Sequence, residues 1–385
     1  MGRRVLVTGA RAAAALDIAR DFVAAGWEVC MADSVIARMA RWSSIPATHD
    51  RFPPPRQAQA GFRNAIREQV DRHRIELVVP ACEEVFHLAA LKQDLGDRLF
   101  APDLARLRQL HDKLSFARAA GGWGLPVPEG HPVETAEDLT RFMPRSHQWV
   151  FKPRFGRFGD QTLVGPDAAR LEKLALRLEG GWMAQRRIIG EEVCFQGVAQ
   201  HGRLVAFAAY RSDWRLGGGA RYAFEPVEED KATLLRDLAG TLARNAAIHG
   251  LFACDVLFDA EGAPYLIECN PRATSGVHLV AGGGHLARAI AEGTDAPTTA
   301  NSTRYLGPAM ILFGLPRAIA KGELAAWRAC LAEGRDAISR PGDRAPLAGS
   351  LVDAARFFAK GRAHAISTNA ATTYDIEWNG EELDV

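Results

Sequence analysis

Asp255, Glu268 and Asn270 are the residues of this chain whose types and spacing most directly suggest chemistry. They lie in LFACDVLFDAEGAPYLIECNPR (251–272), two apolar runs joined by Asp259, Ala260, Glu261 and Gly262. That composition is the signature of a β-hairpin. A four-residue loop pairs Phe258 with Ala263, which sets Asp255 opposite Leu266 and Glu268 opposite Ala253. Strand side chains alternate with period two, so Asp255, Glu268 and Asn270 share one face. The other face carries Cys254, Val256, Phe258, Tyr265, Ile267 and Cys269, as a buried face requires. Two carboxylates and an amide oxygen on one patch repel one another unless a proton or cation lies between them. Oxygen-only ligands suit Mg²⁺, which completes its shell with water and substrate phosphates. Two solvated acids on an ordinary strand pair would show the same spacing, and the pattern alone leaves both readings open.

Two lysines and several arginines accompany these acids. An apolar strand, QWVF, delivers Lys152. Pro153 then opens a loop with Arg154, Gly156, Arg157 and Gly159 before a second strand at 161–164. Backbone N–H groups and guanidiniums of such a loop can surround phosphates, although a solvated basic hairpin tip has the same composition. Lys113 lies in the helical run LHDKLSFARAAG, just after Asp112. Arg211, Arg215 and Arg221, in a glycine-rich arginine loop, are candidates for recognising a substrate. His249, His278 and His285 fit no zinc spacing and read as structural. Glu83 and Glu84 fall where a helix starts, and the helix dipole accounts for acids there without a catalytic role.

The elements that position these groups follow in order. RVLVT, Gly9, a helix over 12–25 and the strand WEVCMAD make a β-α-β opening. It invites a dinucleotide-binding reading with Asp33 as the ribose acid, but no G-x-x-G follows Gly9. A helix over 58–73 and the buried strand IELVVP complete the first unit, which ends near residue 104. An α+β segment spans 105–190, a second one spans 191–300, and helical patterns at 316–332 and 347–360 mark a C-terminal extension, 301–385. Length admits two or three packed units. Lys plus Arg is 47 against 46 acidic residues, so no net field draws the chain to nucleic acid or anionic lipid. The six cysteines are scattered in apolar runs, as in a reducing compartment. No run approaches the ~18 apolar residues of a membrane span, and a soluble cytoplasmic protein is expected.

Taken together, these pieces resemble the ATP-grasp superfamily, from the N-terminal layer to about residue 290, and most closely its carbamoyl-phosphate synthase and carboxylate–amine ligase members. Asp255 with Glu268-x-Asn270 is similar to that superfamily's magnesium triad, with Mn²⁺ as an alternative ion. HDKLSFARAAGGWGLPVPE implies a phosphate-contacting role for Lys113, and FKPRFGRFGDQT a nucleotide contact for Lys152. AQRRIIGEE resembles the adenine hinge. It implies Gln185 beside the adenine amino group, Arg186 and Ile188 at backbone or apolar contacts, and Glu192 at the ribose. VVPACEEVFHLAAL is similar to the end of the domain that precedes the ATP-grasp fold.

The implied architecture is α/β and α+β: a Rossmann-like pre-ATP-grasp domain, a two-subdomain ATP-grasp fold and an extension. The implied activity is an ADP-forming, C–N bond-forming ligase that joins a small carboxylate to an amine with ATP and Mg²⁺. Lys152 and Arg272 would serve catalysis, Arg272 by anchoring a substrate carboxylate or acyl phosphate. A homodimer is compatible with this. A catalytically silent nucleotide-binding protein and an NAD-dependent oxidoreductase are the alternatives. Two features depart from the family pattern: Phe155 and Phe158 stand where many members have glycine, and Gln185 where many have Glu.

Overall fold

The computed structural model describes residues 2–157, 159, 161–215, 219–297 and 302–383. Phe158 lies outside the described residues.

Strands β1 (Arg4–Thr8), β2 (Glu28–Asp33), β3 (Ala47–Arg51) and β4 (Leu77–Pro80) form a parallel sheet in the order β3-β2-β1-β4. Its central strands are apolar at consecutive positions because both faces are covered. Val5 and Val7 pack with helix Ala13–Ala24, while Leu6 faces a core with Phe62, Ile66 and Phe86. This is the expected nucleotide-fold layer. Asp33 is not free to hold a ribose, however: Arg11 Nε and backbone N–H bond it at 3.0 and 2.8 Å, and the Arg11 guanidinium is buried with it.

A second sheet holds β5 (Gly130–Val133), β6 (Trp149–Pro153), β7 (Leu163–Val164) and β8 (Trp182–Arg186), ordered β5-β8-β6-β7 and antiparallel. The third sheet holds β9 (Glu191–Gln200), β10 (Arg203–Arg211), β11 (Ala223–Pro226), β12 (Gly250–Phe258), β13 (Pro264–Asn270), β14 (Arg304–Tyr305) and β15 (Arg335–Asp336). Its order is β13-β12-β9-β10-β11-β14-β15. Helices Lys113–Gly122 and Glu229–Asn245 cover one face, and the other shares a core with the first domain through Cys194, Val198 and Ala206. The extension does not stand apart: its strands β14 and β15 lengthen this sheet, and helix Ala345–His364 packs on helix Arg38–Arg41 of the first domain. Among the described residues no helix is long and apolar enough to cross a membrane.

Two local departures shape the site. The run LHDKLSFARAAG is two helices, Leu104–His111 and Lys113–Gly122, broken at Asp112. Asp112 is extended (φ −67°, ψ 108°) because it is the N-cap of the second helix, its carboxylate accepting from Leu114 N–H at 3.1 Å. Lys113 thus begins a helix instead of lying within one. The hairpin loop has three residues, closed by an Asp259 N–H to Ala263 C=O bond of 3.0 Å with Gly262 in the left-handed region (φ +82°). A β-bulge then leaves Ile267 unpaired, so Asp255 faces Glu268 directly and Ala253 faces Asn270. The three site residues share a face as expected, by a different register. Leu266, not Tyr265 or Ile267, joins Cys254, Val256, Phe258 and Cys269 in the core.

Candidate functional site

The second and third sheets face each other across a cleft of about 460 Å³. Lys152, Gln185, Arg186, Ile188, Glu192, Asp255, Glu268, Asn270 and Arg272 all line it. Lys113 lines an adjoining recess of about 350 Å³, which shares Lys152 and Glu268 with the main cleft. The side chains that the family resemblance singled out for nucleotide, metal or catalysis therefore converge on one site, whereas Arg154 of the basic loop turns away to Asp112 at 3.0 Å.

The bulge at Ile267 does work that the hairpin pattern did not foretell. Its carbonyl, released from the ladder, accepts from Lys152 Nζ at 2.9 Å and from Gln185 Nε2 at 3.4 Å. One backbone oxygen on the third sheet so orients one residue each from β6 and β8. Lys152 is 5% exposed, and burial lowers its amine to about 8, with nearby Lys113 adding to the effect against Glu268. Lys113 Nζ donates to Gly156 C=O at 3.0 Å and stands 3.5 Å from Glu268. Backbone bonds tie its helix to the phosphate loop, since Lys113 N–H donates to Arg154 C=O at 3.1 Å.

The carboxylate pair is split by its surroundings. Burial and repulsion from Glu268 push the Asp255 carboxyl up despite Arg221, and the Cys194 thiol, kept protonated by burial, donates to Asp255 Oδ1 at 2.9 Å. Burial acts on Glu268 in the same direction, but Lys113 and Lys152 outweigh it and hold that group down. Two buried, facing carboxylates that repel each other are a slot into which a divalent cation fits by offsetting that repulsion. Asn270 completes an all-oxygen donor set, the kind that selects Mg²⁺ or Mn²⁺ over softer-ligand metals.

At the other end of the cleft, Glu192 follows Gly190. A side chain at position 190 would overlap the Phe258 carbonyl, so the close approach of β9 to the β12 end requires glycine there. Glu192 is held by Arg215 at 2.5 Å and by Arg221, which also lies 3.5 Å from Asp255. Of the three arginines proposed for substrate recognition, Arg215 and Arg221 thus border the site, whereas Arg211 pairs with Glu225 at 3.4 Å on the neighbouring strands. Arg186 N–H donates to Glu129 C=O at 2.7 Å, and its guanidinium lies over Trp149 (5.7 Å). The three histidines stay structural: His278 bonds Asp17 at 2.8 Å, His249 stacks on His201 (4.2 Å), and His285 meets Arg288 at 3.1 Å.

Glu83 is the site residue that the sequence did not disclose. It is fully buried, bonded by Arg272 Nε at 2.6 Å and ion-paired with Arg157 at 2.8 Å. Burial would raise its carboxyl, but Arg157 and Arg272 hold it well below the usual range. Among the described residues its neighbour Glu84 forms no ion pair, and Arg11 acts on it only weakly against the effect of burial. Burial pushes that carboxyl up, and it accepts from Thr8 Oγ1 (2.6 Å), Ala81 N–H (3.2 Å) and Cys82 N–H (3.3 Å). Neither acid caps the helix Val85–Ala89. The available signal was their place just beyond the carboxyl end of β4, where open α/β sheets bind ligands.

Residues 110–276 match a family model described as an ATP-grasp domain. No curated protein matches the sequence. Among solved structures, N5-carboxyaminoimidazole synthetase from Staphylococcus aureus complexed with ADP is similar over 83% of this chain and 86% of its own, at 15% identity and a TM-score of 0.66. A biotin carboxylase from Campylobacter jejuni is similar over 79% and 74%, at 17% identity and 0.62. The L-amino acid ligase from Bacillus licheniformis is similar over 72% and 70%, at 16% identity and 0.55. At these identities the likeness is one of fold, and it bears out the architecture read from the sequence.

Proposed function

We propose that this chain is an ATP-grasp enzyme, an ADP-forming carboxylate–amine ligase that works through an acyl phosphate. The observation that carries the reading is the convergence of Asp255, Glu268 and Asn270 with Lys113 and Lys152 in one cleft. Neighbours named for bound ADP and for amino-acid ligation support it.

Asp255, Glu268 and Asn270 would hold Mg²⁺, which offsets phosphate charge when bound. Lys152 and Lys113 carry positive charge to the same end and stabilise the γ-phosphoryl group as it leaves ADP for an oxygen of the substrate carboxylate. Arg272, fixed by Glu83 at 2.6 Å, anchors the acid or its acyl phosphate. Gln185 and the apolar Ile188 border the adenine, and Glu192 the ribose, once Arg215 or Arg221 gives up one of its oxygens. An amine then attacks the acyl carbon, phosphate departs, and the amine loses a proton. No side-chain nucleophile is needed, and burial keeps the Cys194 thiol protonated. An amino-acid-type acid is the class proposed, with Arg272, two residues beyond Asn270 and in the same cleft, meeting its carboxylate.

Screening acid–amine pairs for ADP release, with mass spectrometry of the product, tests this. Release that requires both partners is expected. Mg·ATP binding without release for any pair would favour a silent nucleotide-binding protein. The NAD reading has little left, since Arg11 occupies Asp33.

A further inference from the structure

The last described stretch of the chain is built into the phosphate end of the cleft. Ala370, Thr373, Glu377 and Asn379 line the same recess as Lys113, Lys152 and Glu268. Trp378 anchors this stretch. It is 1% exposed, stacks on Phe86 of the first domain (5.0 Å), meets the edge of Phe155 in the phosphate loop (5.1 Å) and lies under the Arg108 guanidinium (5.2 Å). One indole thus packs against the first domain, the helix that precedes Lys113 and the loop itself. The chain turns immediately afterwards at Asn379-Gly380. Gly380 has φ +96°, and a Cβ there would stand 2.8 Å from the Phe155 ring, so both the turn and the contact require glycine.

The polar consequence falls on Arg157. Its guanidinium donates to Trp378 C=O at 2.7 Å and to Asn379 Oδ1 at 2.8 Å, and pairs with Glu83 at 2.8 Å and with Glu377 at 3.4 Å. The side chain is 6% exposed, yet it borders both recesses of the cleft, and its Nε–H has no partner among the described residues. A buried guanidinium fixed on one side and left with an open donor is unusual, because buried donors are almost always paired.

We infer that the C-terminal segment 377–380 is part of the nucleotide site: Trp378 and Asn379 are positioning residues that aim Arg157 at the phosphates of a bound nucleoside triphosphate. This rests on the ATP-dependent reading above and adds to it a phosphate donor and a role for the extension. The fixed arginine supplies charge at the loop tip, where the family pattern would have more glycine.

Calorimetric titration of the full chain with Mg·ATP, Mg·ADP and adenosine tests it, using Arg157→Ala, Asn379→Ala and the double variant. Arg157→Ala, which removes a charge-assisted contact to phosphate, is expected to weaken Mg·ATP by more than about tenfold, and Asn379→Ala, which only loosens the arginine, by about fivefold. The double variant should be no weaker than Arg157→Ala, because Asn379 acts through the arginine. Adenosine affinity should stay unchanged in all three. Additive losses, an unchanged Mg·ATP affinity in Asn379→Ala, or equal weakening of adenosine would overturn the inference. Asn379 is partly exposed, so its variant keeps the fold; Trp378→Phe beside Trp378→Ala separates packing from folding, the phenylalanine restoring most of the Mg·ATP affinity. Failure of the unaltered chain to bind Mg·ATP would overturn the functional reading itself, which distinguishes the two failures.

Discussion

Glu83 and Glu84 are adjacent, both fully buried, and shifted in opposite directions by their surroundings, which makes their glutamine variants a direct test of the electrostatics. Glu83→Gln removes the carboxylate that stands 2.6 Å from Arg272 and 2.8 Å from Arg157, leaves Arg157 with the more distant Glu377 at 3.4 Å, and turns an amide donor toward one of the two guanidiniums. Breaking a buried ion pair from one side costs about 3 kcal/mol or more, since the partner charge is left without compensation. For a cooperative unit of 150–250 residues, that is a fall in Tm of roughly 6–12 °C. Glu84→Gln exchanges a carboxyl that burial already drives toward its neutral form, and the amide oxygen can still accept from Thr8, Ala81 and Cys82. Its cost is expected below about 1 kcal/mol. Thermal unfolding near neutral pH, read by circular dichroism, compares the two. The sign with pH follows as well. The Glu83 carboxyl is depressed in the fold, so its contribution is present above the unfolded value of about 4.3 and is lost as pH falls. Glu83→Gln should therefore flatten the acid limb of wild-type stability. Equal Tm losses in the two variants, or a larger loss for Glu84→Gln, would refute the assignment of charge.

Lys152 loses its charge in the nucleotide-free protein as pH rises through about 8, so Mg·ATP affinity should fall between about pH 7 and 9, and Lys152→Arg should remove that dependence in a titration by calorimetry. Glu268→Gln should abolish ADP release while leaving the far-ultraviolet circular dichroism unchanged; wild-type turnover would sink the metal assignment. Burial lowers the imidazoles of His87 to about 4 and His111 to about 3. The unfolded chain binds protons on both below about 6.5, so stability should drop as pH falls from there toward 4, and His87→Gln should reduce the slope of Tm against pH.

The parts legible in the sequence were the local ones. Lys152 at the end of an apolar strand, Lys113 beside its capping Asp112, and the shared face of Asp255, Glu268 and Asn270 all depend on periodicities of a few residues. Parity alone kept Asp255, Glu268 and Asn270 together, because the observed register differs from the expected one by an even step at those positions. The bulge at Ile267 was not legible, since nothing in LIECN marks which residue leaves the ladder. Glu83 was misread for a different reason: its partners Arg157 and Arg272 come from other domains, and the helix start next to it offered a sufficient local explanation. Trp378 likewise gains its role from Phe86 and Phe155, contacts that only tertiary packing creates.

The central claim is that the γ-phosphoryl group passes to an oxygen of the acid before the amine arrives. With the acid that stimulates ADP release labelled with ¹⁸O in its carboxylate, the phosphate produced should carry one ¹⁸O per molecule. Phosphate free of label, formed at the same rate as product, would contradict an acyl phosphate and with it the mechanism assigned to this cleft.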